Sequence, residues 1–526
     1  MATVGEVTAG AAEVAARGGA GDGDGRSAPD GPARGAARGA DGGGGAGASA
    51  RRRTPRRLPL RGRLQSTPAR LRALVGGVLV LTAATGLLCW QAGTQAQSTW
   101  STITGSQAPQ VVDASALYQS LTDQDAQTAN VLVDGADPAL AANRTTALNQ
   151  YTSDRTAADR ALQQATLSAA GNGAVQSALA AVLDGMGDYD GLAARALALN
   201  DQARAAAGHP DPTALAEYRQ ATDLMQNTLL PAANRLLQAD NTAYNDSYDA
   251  QRSDLTAAEV WTAVLGTLLL LSLLGLQGWL LRRYRRIVNP PLAAATLLAL
   301  LVVGTALTLF PAERTQLHTA RRDAFDSVVA LDRARAISYD ANADESRYML
   351  DQGRRAQYQQ SFFDDSQQLA DLPLATSVSS YDTPLQVAID DYHRNHQDVE
   401  FGGFFGTEFR NITFPGERAG AEATLDAYQK YQLDDRHLRS LMTDGQLDQA
   451  IAYNTSLAAG GSNADFGVYD QALTKLIGIN DAAYVTAAHS GAGELSDRVP
   501  LMAGGSLAVV LLCLLGVRPR LAEYRR

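Results

Sequence analysis

The side chains best suited to metal chemistry are two histidines in an acidic stretch. His393 and His396 stand three positions apart, so one helical turn would present both, and carboxylates surround them at Asp390, Asp391, Asp398 and Glu400. Imidazole and carboxylate groups at this spacing suit a metal ion. The same pattern is more often a solvated polar face, and we predict no metal site here.

Other catalytic constellations are missing from the sequence. It contains no P-loop, HExxH, GxSxG or kinase signature. The acidic pairs Asp364–Asp365 and Asp434–Asp435 are typical of solvated helix faces. Both cysteines fall in apolar stretches, which excludes a disulfide framework in the polar regions. We therefore predict a protein that is not an enzyme and has no catalytic, cofactor-binding or metal-binding residue.

Aromatic residues gather in residues 401–417, which we call the Phe-rich segment. Glycines and Pro415 predict a loop here, between the second and third helices of a bundle and close to a bilayer. Three interpretations stay open: the rings fill the end of the bundle, touch lipid, or form a docking surface for a partner or ligand. The candidate binding residues are Phe401, Phe404, Phe405, Phe409, Arg410, Asn411, Thr413, Phe414 and Glu417.

Four long apolar stretches must position these polar regions. A span of the bilayer takes ~20 apolar residues, and the charge-free cores of the four stretches are Leu74–Trp90, Val260–Leu281, Leu292–Phe310 and Leu501–Val517. We predict transmembrane helices over 71–90, 259–281, 292–310 and 499–517.

Basic residues flank these stretches on one side only. Lys and Arg near spans are retained in the cytoplasm, which predicts a cell-membrane, multi-pass protein with both termini cytoplasmic. The cytoplasmic parts are then a disordered Gly/Ala/Arg-rich tail (1–70), a loop (282–291) and a C-terminal tail (518–526). The residues that determine this topology are Arg51, Arg52, Arg53, Arg56, Arg57, Arg282, Arg283, Arg285, Arg286, Arg518 and Arg520.

The remaining segments, 91–258 and 311–498, are acidic and read as two extracytoplasmic domains of one architecture. Each follows a span and precedes another, so the chain is a tandem repeat of two modules. Apolar residues recur at helical spacing in Leu317, Ala320, Ala324, Val328, Leu331, Ala334, Ile337 and Ala341. We predict an all-α protein with an antiparallel four-helix bundle in each module, whose first and last helices continue from the spans.

A family resemblance follows from this architecture and from two short segments. A span, a four-helix bundle and a second span resemble the sensor modules of bacterial chemoreceptors and histidine kinases. The duplicated form, with DANADESRYMLDQGR (340–354) and NITFPGER (411–418), resembles a family of actinobacterial four-span membrane proteins, the GlnX-like proteins. The resemblance implies an extracytoplasmic solute-binding lipoprotein and a cytoplasmic Ser/Thr kinase as partners.

The sequence thus predicts a non-enzymatic membrane sensor that relays a signal. The resemblance implies that the signal is the availability of glutamate or aspartate outside the cell. A scaffold protein of the cell envelope without ligand sensing is the alternative. We expect the lipid bilayer and no nucleic acid as a partner, and formation of a homodimer stays open.

Overall fold

The computed structural model describes residues 67–168, 173–284 and 289–522. Within these ranges the regular elements are helices and no strand is present, which confirms the predicted all-α class. The predicted tail up to residue 66 lies outside the described residues. So do several of the predicted topology residues: Arg51, Arg52, Arg53, Arg56, Arg57, Arg285 and Arg286.

Residues 67–284 form the first module. Two very long helical stretches enclose two shorter helices, so that the chain runs up and down as predicted for a four-helix bundle. The α-helices are α1 (Thr67–Thr102), α2 (Ala108–Asp134), α3 (Ala141–Ser168), α4 (Gly173–Ala203), α5 (Pro212–Leu224) and α6 (Leu230–Tyr284).

The second module repeats this plan with more interruptions. Its two long outer stretches again enclose shorter helices, and the returning helix is divided into α9 and α10. The α-helices are α7 (Pro290–His318), α8 (Asp326–Leu350), α9 (Arg355–Leu369), α10 (Asp382–Arg394), α11 (Gly403–Asn411), α12 (Glu417–Thr443), α13 (Leu447–Asn454) and α14 (Ser462–Ala522).

Among the described residues, four helical stretches are long and apolar enough to cross a membrane. They are Ala69–Asp134, Pro212–Arg283, Pro290–Leu350 and Ser462–Arg520. Each contains one predicted span and continues as one helical stretch into the polar part of its module, as predicted. We use the word distal for the ends of these stretches that lie far from the apolar segments.

Three π-helical segments interrupt the long stretches: Ile103–Gln107, Met225–Leu229 and Thr319–Phe325. The first two end two residues before Pro109 and Pro231. A proline lacks the N–H group and clashes with the carbonyl group one turn earlier, and a widened turn relieves both problems. The bend predicted at Pro231 is therefore a π segment. The third has no such proline beside it.

The apolar segments pack into a ring of four helices. Helix α1 contacts α6 and α14, and α7 contacts the same two helices. Close approach depends on small residues: a Cβ atom added at Gly86 would lie 2.8 Å from the Cβ atom of Ser506 in α14. The spans of both modules thus form one unit.

The distal parts are also packed against each other, chiefly through α2 and α8. The eight residues that predicted a helical face in the second module are all buried, from Leu317 to Ala341. The three of them nearest the spans, Leu317, Ala320 and Ala324, belong to a core cluster that includes residues of the first module, where Phe310 and Phe325 pack with Tyr244 and Tyr248. The two bundles therefore share a core.

Candidate functional site

Helices α2 and α8 lie side by side in the distal half, and with α5 they form what we call the inter-module interface. Its first helix carries the sequence Asp123–Asp134 and its second Asp340–Asp351. When the two sequences are aligned without gaps, Ala126 corresponds to Ala343. Both carry an aspartate at each end.

Arg347 of α8 lies at the centre of this interface. Its side chain is 2% exposed, and Nη2 donates to Asp125 Oδ2 of the first module at 2.5 Å. Nη1 donates to Asp340 Oδ1 at 2.9 Å and to Asp344 Oδ1 at 2.6 Å, while Nε donates to Tyr218 Oη at 3.3 Å. One guanidinium group therefore connects three carboxylates and both modules.

Asp125 is held by further donors from the first module. Thr222 Oγ1 donates to Oδ2 and Tyr189 Oη donates to Oδ1, both at 2.8 Å. Burial alone would lower the pKa of Arg347, but Asp125 and its neighbouring acids hold that pKa well above the ordinary value. A buried charge that loses its partner costs several kcal/mol, roughly 3–5. The pair is therefore a strong constraint on how the modules dock.

Other polar contacts extend this interface on either side. Arg219 of α5 makes a two-point contact with Asp351, with Nε 2.6 Å from Oδ2. Arg354 pairs with Asp223 at 2.7 Å, and Ser346 Oγ donates to Asn130 Oδ1 at 2.6 Å. The partners in each contact come from different modules. Because bidentate pairs require a defined geometry, the interface selects one relative position.

A second link between the modules lies close to the spans. Trp100 Nε1 donates to Glu313 Oε2 at 3.1 Å, and the glutamate is buried. Burial raises the pKa of Glu313 to about 7, and the hydrogen bond from Trp100 opposes that rise. Nearby, Tyr248 Oη lies 3.2 Å from His318 Nδ1. The long helices are thus joined both distally and where they enter the apolar bundle.

The acidic pairs predicted to be solvated are mostly buried, and that prediction is wrong for Asp365, Asp434 and Asp435. Asp434 accepts from Lys430 and from Tyr453 Oη, and Asp435 accepts from Arg439 Nε at 2.8 Å. These helices carry acids on the side that packs inward, where basic and hydroxyl groups compensate the lost hydration. Asp364 is exposed, as predicted.

The Phe-rich segment is not a loop throughout, because residues 403–411 form α11. Gly403 has a φ of 68° and supplies the left-handed turn that starts this helix. Phe401, Phe405 and Phe409 are buried, with Phe405 and Tyr428 in edge contact at 5.2 Å. Phe404 and Phe414 are partly buried. The interpretation as a filling of the bundle fits these positions best.

The polar residues of the Phe-rich segment have structural partners. Asn411 Nδ2 donates to the carbonyl oxygen of Asp323 at 2.9 Å and to Ser327 Oγ at 3.0 Å. Glu417 is buried and accepts from the backbone N–H groups of Thr413 and Phe414. Arg410 is exposed, and its Nη2 donates to the carbonyl oxygen of Phe401 at 2.8 Å. The segment therefore braces the third π segment, in which Asp323 lies.

The remaining predicted positions are peripheral. His393 and His396 are exposed on α10 and the turn after it, and each faces one carboxylate of α12, Asp426 at 3.5 Å and Glu422 at 3.1 Å. Among the described residues no group of three or more metal-ligating side chains is found. Arg282 and Arg283 lie in the last turn of α6, and Arg518 and Arg520 lie in the last turns of α14.

Sequence reasoning missed the inter-module interface. The segment 340–354 carried the family resemblance, and it contains Arg347, Asp344 and Asp351, but no role was assigned to them. The available signal was an arginine three and seven positions after Asp344 and Asp340, on the same face of α8. Its partner Asp125 lies 222 positions away in sequence, so no local spacing could identify the pair.

Comparison with known proteins gives one match. Residues 99–249 match the family model described as "Actinobacterial sensor domain". No match was found among curated proteins or among solved structures. The matched residues cover the distal parts of all four helices of the first module, including Asp125, Tyr218 and Thr222. The predicted resemblance is confirmed, and the distal first module of this membrane protein is similar to the actinobacterial sensor domain.

Proposed function

We propose that this protein is a non-enzymatic membrane sensor in which both modules respond as one unit. The modules stand outside the cell, where a solute or a solute-binding lipoprotein acts on them. A shift of the long helices carries the signal to the basic cytoplasmic flanks, where a Ser/Thr kinase is the proposed reader. The lipoprotein and the kinase rest on the family resemblance alone.

One observation carries the proposal: the Asp125–Arg347 pair joins two helical stretches that both continue into candidate spans. Asp125 lies 36 positions beyond Cys89, or roughly 50 Å along the helix. Helix shifts of about 1–2 Å at packed interfaces are an established mode of switching. A change at the distal pair would therefore displace both stretches relative to α6 and α14.

Cysteine cross-linking tests the relay in the full-length protein in membrane vesicles. Cys89 Sγ in α1 lies 3.8 Å from Thr262 Oγ1 in α6, so Thr262→Cys creates a pair that an oxidant can close. Cys513 is replaced by Ala to leave one pair. Asp125→Asn removes the distal charge, and we expect the rate of disulfide formation to change at least threefold.

The matched control is Asp201→Asn, which removes the carboxylate of the exposed pair between Arg144 and Asp201. This variant should leave the cross-linking rate unchanged. Equal rates in the Thr262→Cys, Cys513→Ala parent and in its Asp125→Asn and Asp201→Asn derivatives would show that the distal interface does not reach the spans. The scaffold alternative would then be preferred.

A further inference from the structure

A small cavity lies between the modules, at a different level from Arg347. It has a volume of about 90 Å³ and is bounded by α2, α6, α8 and α9. Its walls combine apolar side chains, among them Leu237, Ala336 and Ile337, with polar ones. Both modules contribute to it, so an occupant would contact the two long helical stretches together.

The polar lining is rich in oxygen atoms that have no partner. Ser115 is 5% exposed, and its Oγ makes no hydrogen bond, nor does the buried Oδ1 of Asn234. Asp332 also lines the cavity, and within the described residues its carboxylate makes no hydrogen bond or ion pair. Buried polar atoms without partners are costly. The two buried oxygens, of Ser115 and Asn234, together with the partly buried carboxylate of Asp332, therefore suit an occupant that donates hydrogen bonds.

The one basic residue in the lining is engaged elsewhere. The Arg333 guanidinium lies over the ring of Phe404, with Cζ 5.4 Å from the ring centre. Arg335 makes a two-point contact with Asp470 at 2.5 and 2.8 Å. Neither arginine neutralises Asp332 directly. The cavity thus offers a carboxylate and two neutral oxygens to an occupant.

We propose that this cavity binds a small organic ammonium ion, with its N–H groups directed to Asp332, Ser115 and Asn234. The apolar wall would contact a short alkyl group. A site of this size accepts about three to five heavy atoms. This inference names a ligand class for the proposed sensor and rests on that function.

The charge state of Asp332 sets the conditions of the test. Burial raises its pKa to about 7, while Arg335 lowers it and Asp481 of α14 raises it. Tyr118, Arg333 and Gln368 complete the polar groups of the lining. A cation binds the ionised carboxylate, so binding should strengthen as the pH rises from 6 to 8.

Saturation-transfer NMR on the full-length protein in a neutral detergent, at pH 8, tests the site. The probe is ethylammonium, and ethanol is the neutral probe with the same number of heavy atoms. A three-atom ligand at the upper limit of efficiency corresponds to a dissociation constant of about 1 mM. We expect ethylammonium to bind near that value, and ethanol to bind at least tenfold more weakly.

Variants locate the binding. Asp332→Asn preserves the shape and should weaken ethylammonium binding at least tenfold, and Ser115→Ala severalfold. Asp448→Asn, which removes an exposed carboxylate from α13, should have no effect. The proposal would be overturned if ethanol bound as tightly as ethylammonium, or if Asp332→Asn bound ethylammonium as tightly as wild type. It would also be overturned if ethylammonium did not bind, because water would then be the occupant. If the cross-linking rate still responds to Asp125→Asn in that case, the sensor function survives and only this ligand class fails.

Discussion

Buried carboxyl groups are the most informative single residues in this protein. Asp123 of α2 and Asp154 of α3 are both buried, and Gln150 Nε2 donates to Asp154 at 2.8 Å. Burial and the nearby Asp123 raise the pKa of Asp154 to about 8. The Asp154 carboxyl therefore keeps its proton at neutral pH and shares it with Asp123.

This pair predicts that stability falls as the pH rises. A carboxyl whose pKa is raised by folding binds a proton more tightly in the folded state. The stability that this tighter proton binding adds to the folded state is fully present below pH ~4 and is lost as the pH approaches 8. In Asp154→Asn the amide replaces the protonated carboxyl. The fall in unfolding free energy between pH 5 and pH 8.5 should be smaller than in wild type by up to roughly 4 kcal/mol.

Thermal unfolding of the full-length protein at a series of pH values measures this difference. Asp201→Asn serves as the exposed control and should follow the wild-type pH profile. If Asp154→Asn unfolded with the same pH dependence as wild type, the shared proton would be disproved.

Residue spacing predicted helices well and buried charges poorly. The apolar repeat from Leu317 to Ala341 lies on one helix face, and helical geometry alone determines that. The burial of Asp434 and Asp435 depends on α13 and α14, which meet α12 only after the chain has folded. A tertiary neighbour of this kind leaves no periodic signal in the helix that carries the acids.

Among the secondary-structure elements, the third π segment is the least expected. Residues 319–325 widen the helix that leaves the second module's first span, and no proline near them explains it. Asn411 donates to carbonyl groups of this segment at Arg322 and Asp323. A π segment leaves carbonyl groups with poor intrahelical partners, and Asn411 supplies the missing donor.

Replacement of that donor should loosen the π segment. In Asn411→Leu the backbone carbonyl groups of Arg322 and Asp323 lose the side-chain amide that donates to them. This loss should lower the free energy of unfolding by about 1–3 kcal/mol. Amide hydrogen exchange over residues 319–327 should accelerate at least tenfold. Asn149→Leu, on the exposed face of α3, is the matched control. Unchanged exchange in Asn411→Leu would mean that α8 maintains the π segment without the Phe-rich segment.

The sequence predicted the order of the elements better than their interruptions. Glycines and Pro415 suggested a loop in the Phe-rich segment, whereas Phe401, Phe405 and Phe409 draw residues 403–411 into a helix against Tyr428 and Tyr469. Local turn signals compete there with burial of aromatic rings, and burial is worth about 1.5–3 kcal/mol per large side chain.

For the whole molecule, the repeat could be inferred from sequence but the docking of its halves could not. Four charge-free stretches and their basic flanks suffice to predict two modules in one membrane. The contact between α2 and α8 depends on Arg347 and Asp125, which belong to different modules. Charge complementarity over that distance in sequence becomes visible only in the fold.

The shared core and the buried pair make the two modules one cooperative unit, and this is the central claim. Loss of Arg347 leaves Asp125 buried without its charge partner, which should destabilise both sides of the interface. A protein with independent modules would confine the effect to α8 and its own bundle.

Hydrogen–deuterium exchange of the full-length Arg347→Met variant tests this claim most directly, with Arg394→Met, whose side chain is 74% exposed, as the control. We predict faster exchange in residues 121–134 and 212–230 of the first module as well as in 338–350 of the second. Acceleration restricted to 338–350, with the first module exchanging as in wild type, would contradict the account.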